Sequence, residues 1–140
     1  MRLRLFTFTM LALGALAGSN LLTGLTVDSS SEASDATGYL HLASNAIDGR
    51  VVDVTGRFHS LSEAGTYQWW RANFAAAQTV RTVFVSTLDS TNALRKNNFI
   101  VTVGDSADVC LNAVCHTVTN GASGWYTCAE PLTGLYFGLC

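Results

Sequence analysis

Downstream of its first apolar run, this 140-residue chain holds no 3.6-residue period for long, whereas from Thr79 its side chains alternate with a period of two. Val80, Thr82 and Phe84 interleave with Arg81, Val83 and Val85, the pattern of a half-buried strand. Phe99-Ile-Val-Thr-Val103 is a second strand, stopped by Gly104-Asp105. Shorter candidates are His116–Thr119, Trp125–Cys128 and Leu135–Leu139, each bounded by Gly, Asn or Pro. Ala72–Gln78 is the helix-tolerant exception, where Ala75-Ala76-Ala77 could make a single turn. Thr26–Thr37, rich in Ser, Asp and Thr, reads as a solvated loop. Short strands with turn signals between them point to an all-β sandwich or barrel. The length leaves room for one domain.

The chain opens with Met-Arg-Leu-Arg and an apolar run from Leu5 to Ala17 that ends in small residues. Ala15-Leu16-Ala17 fits an A-x-A cleavage site, so residues 1–17 read as a secretory signal peptide and residues 18–140 as a secreted, extracellular domain. The run is shorter than the roughly 20 residues needed to span a bilayer, and no later stretch is long enough either. The net charge is −2 at pH 7, and losing Arg2 and Arg4 with the leader makes the domain more acidic. Its scattered basic residues offer no phosphate-tracking surface, which argues against nucleic acid. Small polar ligands and glycosylated surfaces remain the natural partners.

Four cysteines, Cys110, Cys115, Cys128 and Cys140, crowd the C-terminal end. In an oxidising compartment they imply two disulfides, whose connectivity the spacing leaves open. Zinc is the competing reading, but Cys110, Cys115 and the nearby His116 lack the short paired spacings of structural zinc sites.

Two motifs stand upstream of the strands: Asn45-Ala-Ile-Asp-Gly49 followed by His59, and Trp69-Trp70-Arg71. Adjacent tryptophans on a strand point to opposite faces, so only one can sit fully in the core. Asn45 and Asp48 can hold a turn by side-chain to backbone hydrogen bonds. With Asn20-Leu-Leu-Thr-Gly24 and Gly134-Leu-Tyr-Phe137, these segments resemble the F-type lectin (fucolectin) domain over nearly all of the chain after the leader. The resemblance implies a jelly-roll β-sandwich of the fucolectin/discoidin (galactose-binding-like) type. Cys140 follows Phe137 almost at once, so a chain stopping there would lack the family's last strand and leave an exposed edge.

The resemblance also implies roles for particular residues. The family's calcium loop reads N-x-x-D-x-N, and Asn45 and Asp48 match it as ligands of a structural calcium ion. Arg50 stands at the third position, and Gly56 stands where the family has a further serine oxygen. For fucose, the family uses one histidine and two arginines as hydrogen-bond donors, with an apolar patch for the methyl group. His59 matches the histidine, Asp89 the aspartate between the arginines, and Arg95 the last arginine, since Arg95-Lys-Asn-Asn-Phe99 mirrors the family's R-L-x-N-F. Ser86 and Thr87 occupy the neighbourhood of the first arginine, and Ser90-Thr91 stands where the family often has a vicinal cysteine pair. Phe58 and Leu88 are the candidate methyl contacts. Asn112-x-x-Cys115 and Trp125-Tyr-Thr-Cys128 resemble the two halves of a family disulfide, pairing Cys115 with Cys128. Cys110 could then meet Cys140, or Cys140 could remain free or bond another chain.

Gly104-Asp-Ser106 lacks the flanking glycines and the histidine context of a trypsin-like nucleophile, and no G-x-S-x-G elbow occurs. The family's VGDS at the same place ends a strand. The reading is therefore not an enzyme. It is a secreted carbohydrate-binding protein for fucosylated glycans or glycoproteins, strengthened through multivalency as in a homo-oligomer. The alternative is a sugar-blind discoidin-like adhesion or structural interaction domain.

Overall fold

Two strands of sixteen residues each, β3 (Trp70–Val85) and β6 (Gly124–Leu139), run antiparallel and connect the other elements. The computed structural model describes residues 5–6, 21–22, 24–32, 34, 38–47, 58, 60, 67–86 and 98–140. The remaining strands are β1 (Leu5–Phe6), β2 (Thr26–Ser29), β4 (Phe99–Gly104) and β5 (Ala113–Val118), with 3-10 turns at Ala43–Ala46 and Val109–Leu111. The sheet order is β1-β3-β6-β4-β5, and β2 pairs the N-terminal end of β3, Thr26 facing Asn73 and Ser29 facing Trp70. All pairings are antiparallel. Among the described residues the regular elements are thus almost all β strands, as the period-two pattern demands. The expected leader lies outside the described residues except for Leu5–Phe6, which pairs Val85 and Phe84.

Two irregularities bend the β3–β6 pair. Between Asn73 and Gln78, β3 carries extra residues opposite Leu135. Between Val80 and Thr82 the excess lies on β6, where register jumps from Leu132 to Thr127. Bulges of this kind bend strands and re-aim side chains. The C-terminal half of β6 consequently pairs β4, Val101 facing Leu139. Its N-terminal half instead covers β4 and β5 without sharing a ladder with them. Tyr126 meets the rings of Phe99 (6.4 Å) and His116 (5.0 Å), and Cys128 is bonded to Cys115. The result is a β-sandwich whose two layers share β3 and β6.

The bulges account for three of four departures from the sequence reading. Val80, Val83 and Val85 are buried, because the slip at Arg81 changes which alternate residues face inward. Trp125–Cys128 and Leu135–Leu139 belong to one strand, since Pro131, with no N–H to give, falls in the bulge rather than in a turn. Ala75-Ala76-Ala77 is the extended, exposed excess of β3 and not a helical turn. Thr26–Ser29, expected in a loop, is β2: Val27 packs on the core while the polar neighbours stay at a sheet margin. The expected strands Phe99–Val103 and His116–Thr119 are β4 and, shifted toward the N-terminus, β5.

Trp70, Phe137, Leu22, Val80, Val83, Val85, Val101 and Val103 are fully buried, with Trp70 edge-on to Phe137 at 6.2 Å. β6 ends at the centre of the sheet, between β3 and β4, so the last described strand closes the middle rather than leaving it open. Backbone bonds between Ile100 and Cys140 (2.8 and 3.0 Å) fasten its end. Beyond β4, the Asn112 side chain donates to the Ser106 carbonyl and accepts from the Ser106 N–H (2.9 and 3.0 Å), while Asp105 accepts from the Leu135 N–H at 3.1 Å. Gly104-Asp-Ser106 therefore ends a strand, as expected. Gly134 lies flat against the Gly104 backbone, where any Cβ would collide. Both disulfides form within the chain: Cys115–Cys128 as the resemblance implies, and Cys110–Cys140.

The two disulfides differ in access. Cys115 and Cys128 are each 5% exposed, whereas Cys110 and Cys140 are half-buried. Thiol exchange requires attack on an accessible sulfur. Under graded reduction with alkylation and mass mapping, Cys110–Cys140 should open first with β structure retained. Earlier labelling of Cys115 and Cys128 would contradict this packing.

Candidate functional site

The Trp70 indole joins the two upstream motifs. Its ring is 1% exposed, and its Nε1–H donates to the Ala43 carbonyl at 2.9 Å within the turn that carries Asn45. The Glu32 carboxylate holds the same turn from another side, accepting from the Ala43 N–H at 2.6 Å. Ala43 and Ala46 point into the core, leaving Asn45 half-buried, with its side-chain amide 3.5 Å from the Leu40 carbonyl. That long contact matches the turn-holding role read from the sequence. Trp69, half-buried, takes the opposite face of the strand, as adjacent strand residues must.

Arg71 completes this motif as a clip. Its guanidinium lies 5.0 Å from the Trp69 ring and 5.8 Å from the Tyr136 ring, and donates to Asp28 (3.0 Å) and to the Ala107 carbonyl (2.6 Å). One side chain therefore touches β2, β6 and the segment after β4. With Asp28 largely exposed, the ion pair itself contributes little. The ring stacking and the carbonyl bond give Arg71 its positional value.

His59, Asp89 and Arg95, the expected sugar-binding residues, lie outside the described residues, as do Asp48, Arg50 and Leu88. The described residues fix the anchors of these segments. Phe58, before His59, is 4% exposed in the core, so its role is packing and not contact with a methyl group. Ser86, at the end of β3, is 5% exposed. Asn98 has φ 62°, a left-handed conformation asparagine tolerates better than most residues, and hands the chain to buried Phe99 at the start of β4. The Asn-Phe ending of the Arg95–Phe99 motif is thus a strand-entry device.

For calcium, the donor set is thin. Asn45 and Asp48 supply two side-chain groups against the six to eight oxygens the ion takes, and Arg50 and Gly56 supply none. Among the described residues no group of three His, Cys, Asp or Glu side chains converges to hold a metal. Burial pushes the Tyr126 phenol above its ordinary value of 10.0, so near neutral pH it acts through packing and its donor bond to the Ala122 carbonyl. His41, 3% exposed and edge-on to Tyr39 at 5.5 Å, is a buried histidine beside the Asn45 turn that no sequence motif marked. The Glu32–Ala43 bond was equally invisible, because Glu32 sits in a stretch whose composition reads only as solvated.

No family model matches the chain, and no curated protein matches it by sequence. Solved structures do. A fucolectin from striped bass (Morone saxatilis) serum is 26% identical, with a TM-score of 0.64 over 87% of this chain and 43% of its own. The chain thus spans less than half of that protein. Chitosan-binding module 1 of a chitosanase/glucanase from Paenibacillus sp. IK-5 is 25% identical, with a TM-score of 0.58 over 86% of this chain and 85% of its own. Module 2 of the same enzyme, solved with chitotriose, shares the fold at 19% identity and a TM-score of 0.62 over 86% of this chain and 85% of its own. The resemblance read from the sequence holds at the level of fold: this is a galactose-binding-like β-sandwich similar to a fucolectin and to carbohydrate-binding modules. These neighbours are a lectin and binding modules, not catalytic domains.

Trp70→Phe tests the link between the motifs, because it keeps a buried ring but leaves the Ala43 carbonyl unpaired. We expect a loss of about 1–3 kcal/mol in chemical denaturation, with amide shifts concentrated at Ala43–Ile47. A variant of wild-type stability with an unmoved Asn45 amide would show that the indole does not hold the turn.

Proposed function

We propose that this protein is a secreted, non-catalytic carbohydrate-binding domain that recognises fucose-containing glycans. The observation that carries the reading is the 26% identical fucolectin fold spanning 87% of this chain, in which sequence motifs match a fucose-binding histidine at His59, an aspartate at Asp89 and an arginine at Arg95. His59 and Arg95 donate hydrogen bonds to sugar hydroxyls, with Asp89 as the third residue of the sugar site. Leu88 is the remaining candidate for the methyl group, since Phe58 is spent on the core.

Binding by one domain is weak. Ser86 and Thr87 stand where the family has its first arginine, and a missing charged donor costs on the order of 1.5–3 kcal/mol. Multivalent display, as in a homo-oligomer, restores avidity without new contacts. Two intrachain disulfides support an oxidising, extracellular setting. With so few oxygen donors at Asn45 and Asp48, the proposed sugar contact does not pass through calcium.

Isothermal titration of residues 18–140 with L-fucose, and with galactose as control, tests this. Saturable fucose binding should be abolished by His59→Ala and strengthened by Thr87→Arg, about tenfold or more for a recovered charged donor. Chelation should leave it unchanged. A folded protein indifferent to fucose, in the wild type and in Thr87→Arg alike, would favour the sugar-blind adhesion domain.

A further inference from the structure

The end of the sandwich built by the C-terminal half of β3 and the N-terminal half of β6 has two faces. Val83, Val85 and Cys128 are buried, and the alternate residues Thr82, Phe84, Trp125 and Thr127 face outward. Phe84 and Trp125 are cross-strand partners with ring centroids 5.1 Å apart and planes tilted by 57°. The next pair along the same face, Thr82 and Thr127, places its hydroxyls 3.5 Å apart. Trp125 leaves 56% of its surface in water. A tryptophan this exposed forgoes most of the burial that normally justifies its size.

We propose that this face is a sugar-stacking platform for a neutral oligosaccharide, formed by Trp125 and Phe84 with the Thr82 and Thr127 hydroxyls at its rim. The inference rests on the carbohydrate-binding function proposed above and adds a contact that does not use His59, Asp89 or Arg95. A pyranose ring presents an apolar C–H face bordered by hydroxyls. The exposed indole takes the apolar face, and threonine hydroxyls, which both donate and accept, take the border. Phe84 braces the indole, so a ligand stacking there orders little that is not already ordered. None of the four side chains is ionisable, which matches an uncharged glycan. A protein partner is a poor fit for the platform's size. Two rings of this kind bury about 150–250 Å² each even when fully covered, well short of the roughly 800 Å² per partner of a stable protein interface.

The experiment is a ¹H–¹⁵N correlation titration of residues 18–140, reading the Trp125 indole signal, with L-fucose, cellotetraose and N-acetylchitotetraose as separate probes. At least one tetrasaccharide should shift the Trp125 indole saturably, whereas fucose should not. Trp125→Ala should weaken that binding about tenfold or more, Trp125→Phe should retain part of it, and His59→Ala should leave it intact. The exposed position makes these variants fold like the wild type, which their amide spectra report directly. A Trp125 indole unmoved by both tetrasaccharides, or an affinity indifferent to Trp125→Ala, overturns the platform. Fucose shifts that persist in that case leave the proposed function standing, whereas the absence of all sugar shifts removes both.

Discussion

The antiparallel pairing of β3 with β6 is the interaction on which the other elements depend, because each strand serves both layers of the sandwich. An unbulged pair of this length would make one continuous twisted ribbon with no second layer to bury its apolar face. The excess residues opposite Leu135 and opposite Arg81 bend the ribbon, so that one half of β6 pairs β4 while the other half covers β4 and β5. The Cys115–Cys128 bond then crosses between layers, and the Cys110–Cys140 bond ties the end of β6 to the turn after β4. Closing the loops between those cysteines removes unfolded-state entropy worth about 3 kcal/mol each in the chain-entropy account.

What could be read in advance follows from how local each signal is. Phe99–Val103 was legible as a strand because its apolar run and its Gly104 stop are contiguous in sequence. The opposed faces of Trp69 and Trp70 follow from strand geometry alone. The unity of β6 was not legible, because Pro131 within a bulge and Gly134 beside one carry the same local signature as in a turn. β2 was hidden for another reason. Thr26–Ser29 is polar enough for a loop and becomes a strand because the edge of β3 offers it backbone partners. Tertiary context decided that segment, since strand preference depends on what a residue packs against as well as on its type.

The same division runs through the site. Motif resemblance assigned a structural disulfide and named His59, Asp89, Arg95, Asn45 and Asp48. The structure adds what motifs do not encode: Trp70 in the core holds the Asn45 turn through the Ala43 carbonyl, and Arg71 clips three parts of the chain together. Arg50, Gly56 and Thr87, where the chain departs from the family's motifs, lie outside the described residues. Under the proposed function they bear on how strongly a sugar is held. The exposed Trp125–Phe84 pair lies on a sheet face rather than in a loop, so its chemistry is independent of those losses.

The measurement that tests the central claim most directly is retention of the protein, displayed multivalently, on an array of immobilised glycans. The account predicts retention on fucosylated glycans, competed by free L-fucose and lost when the terminal fucose is removed enzymatically. Retention that ignores the fucose, or its absence from every glycan by a folded, multivalent protein, would contradict it.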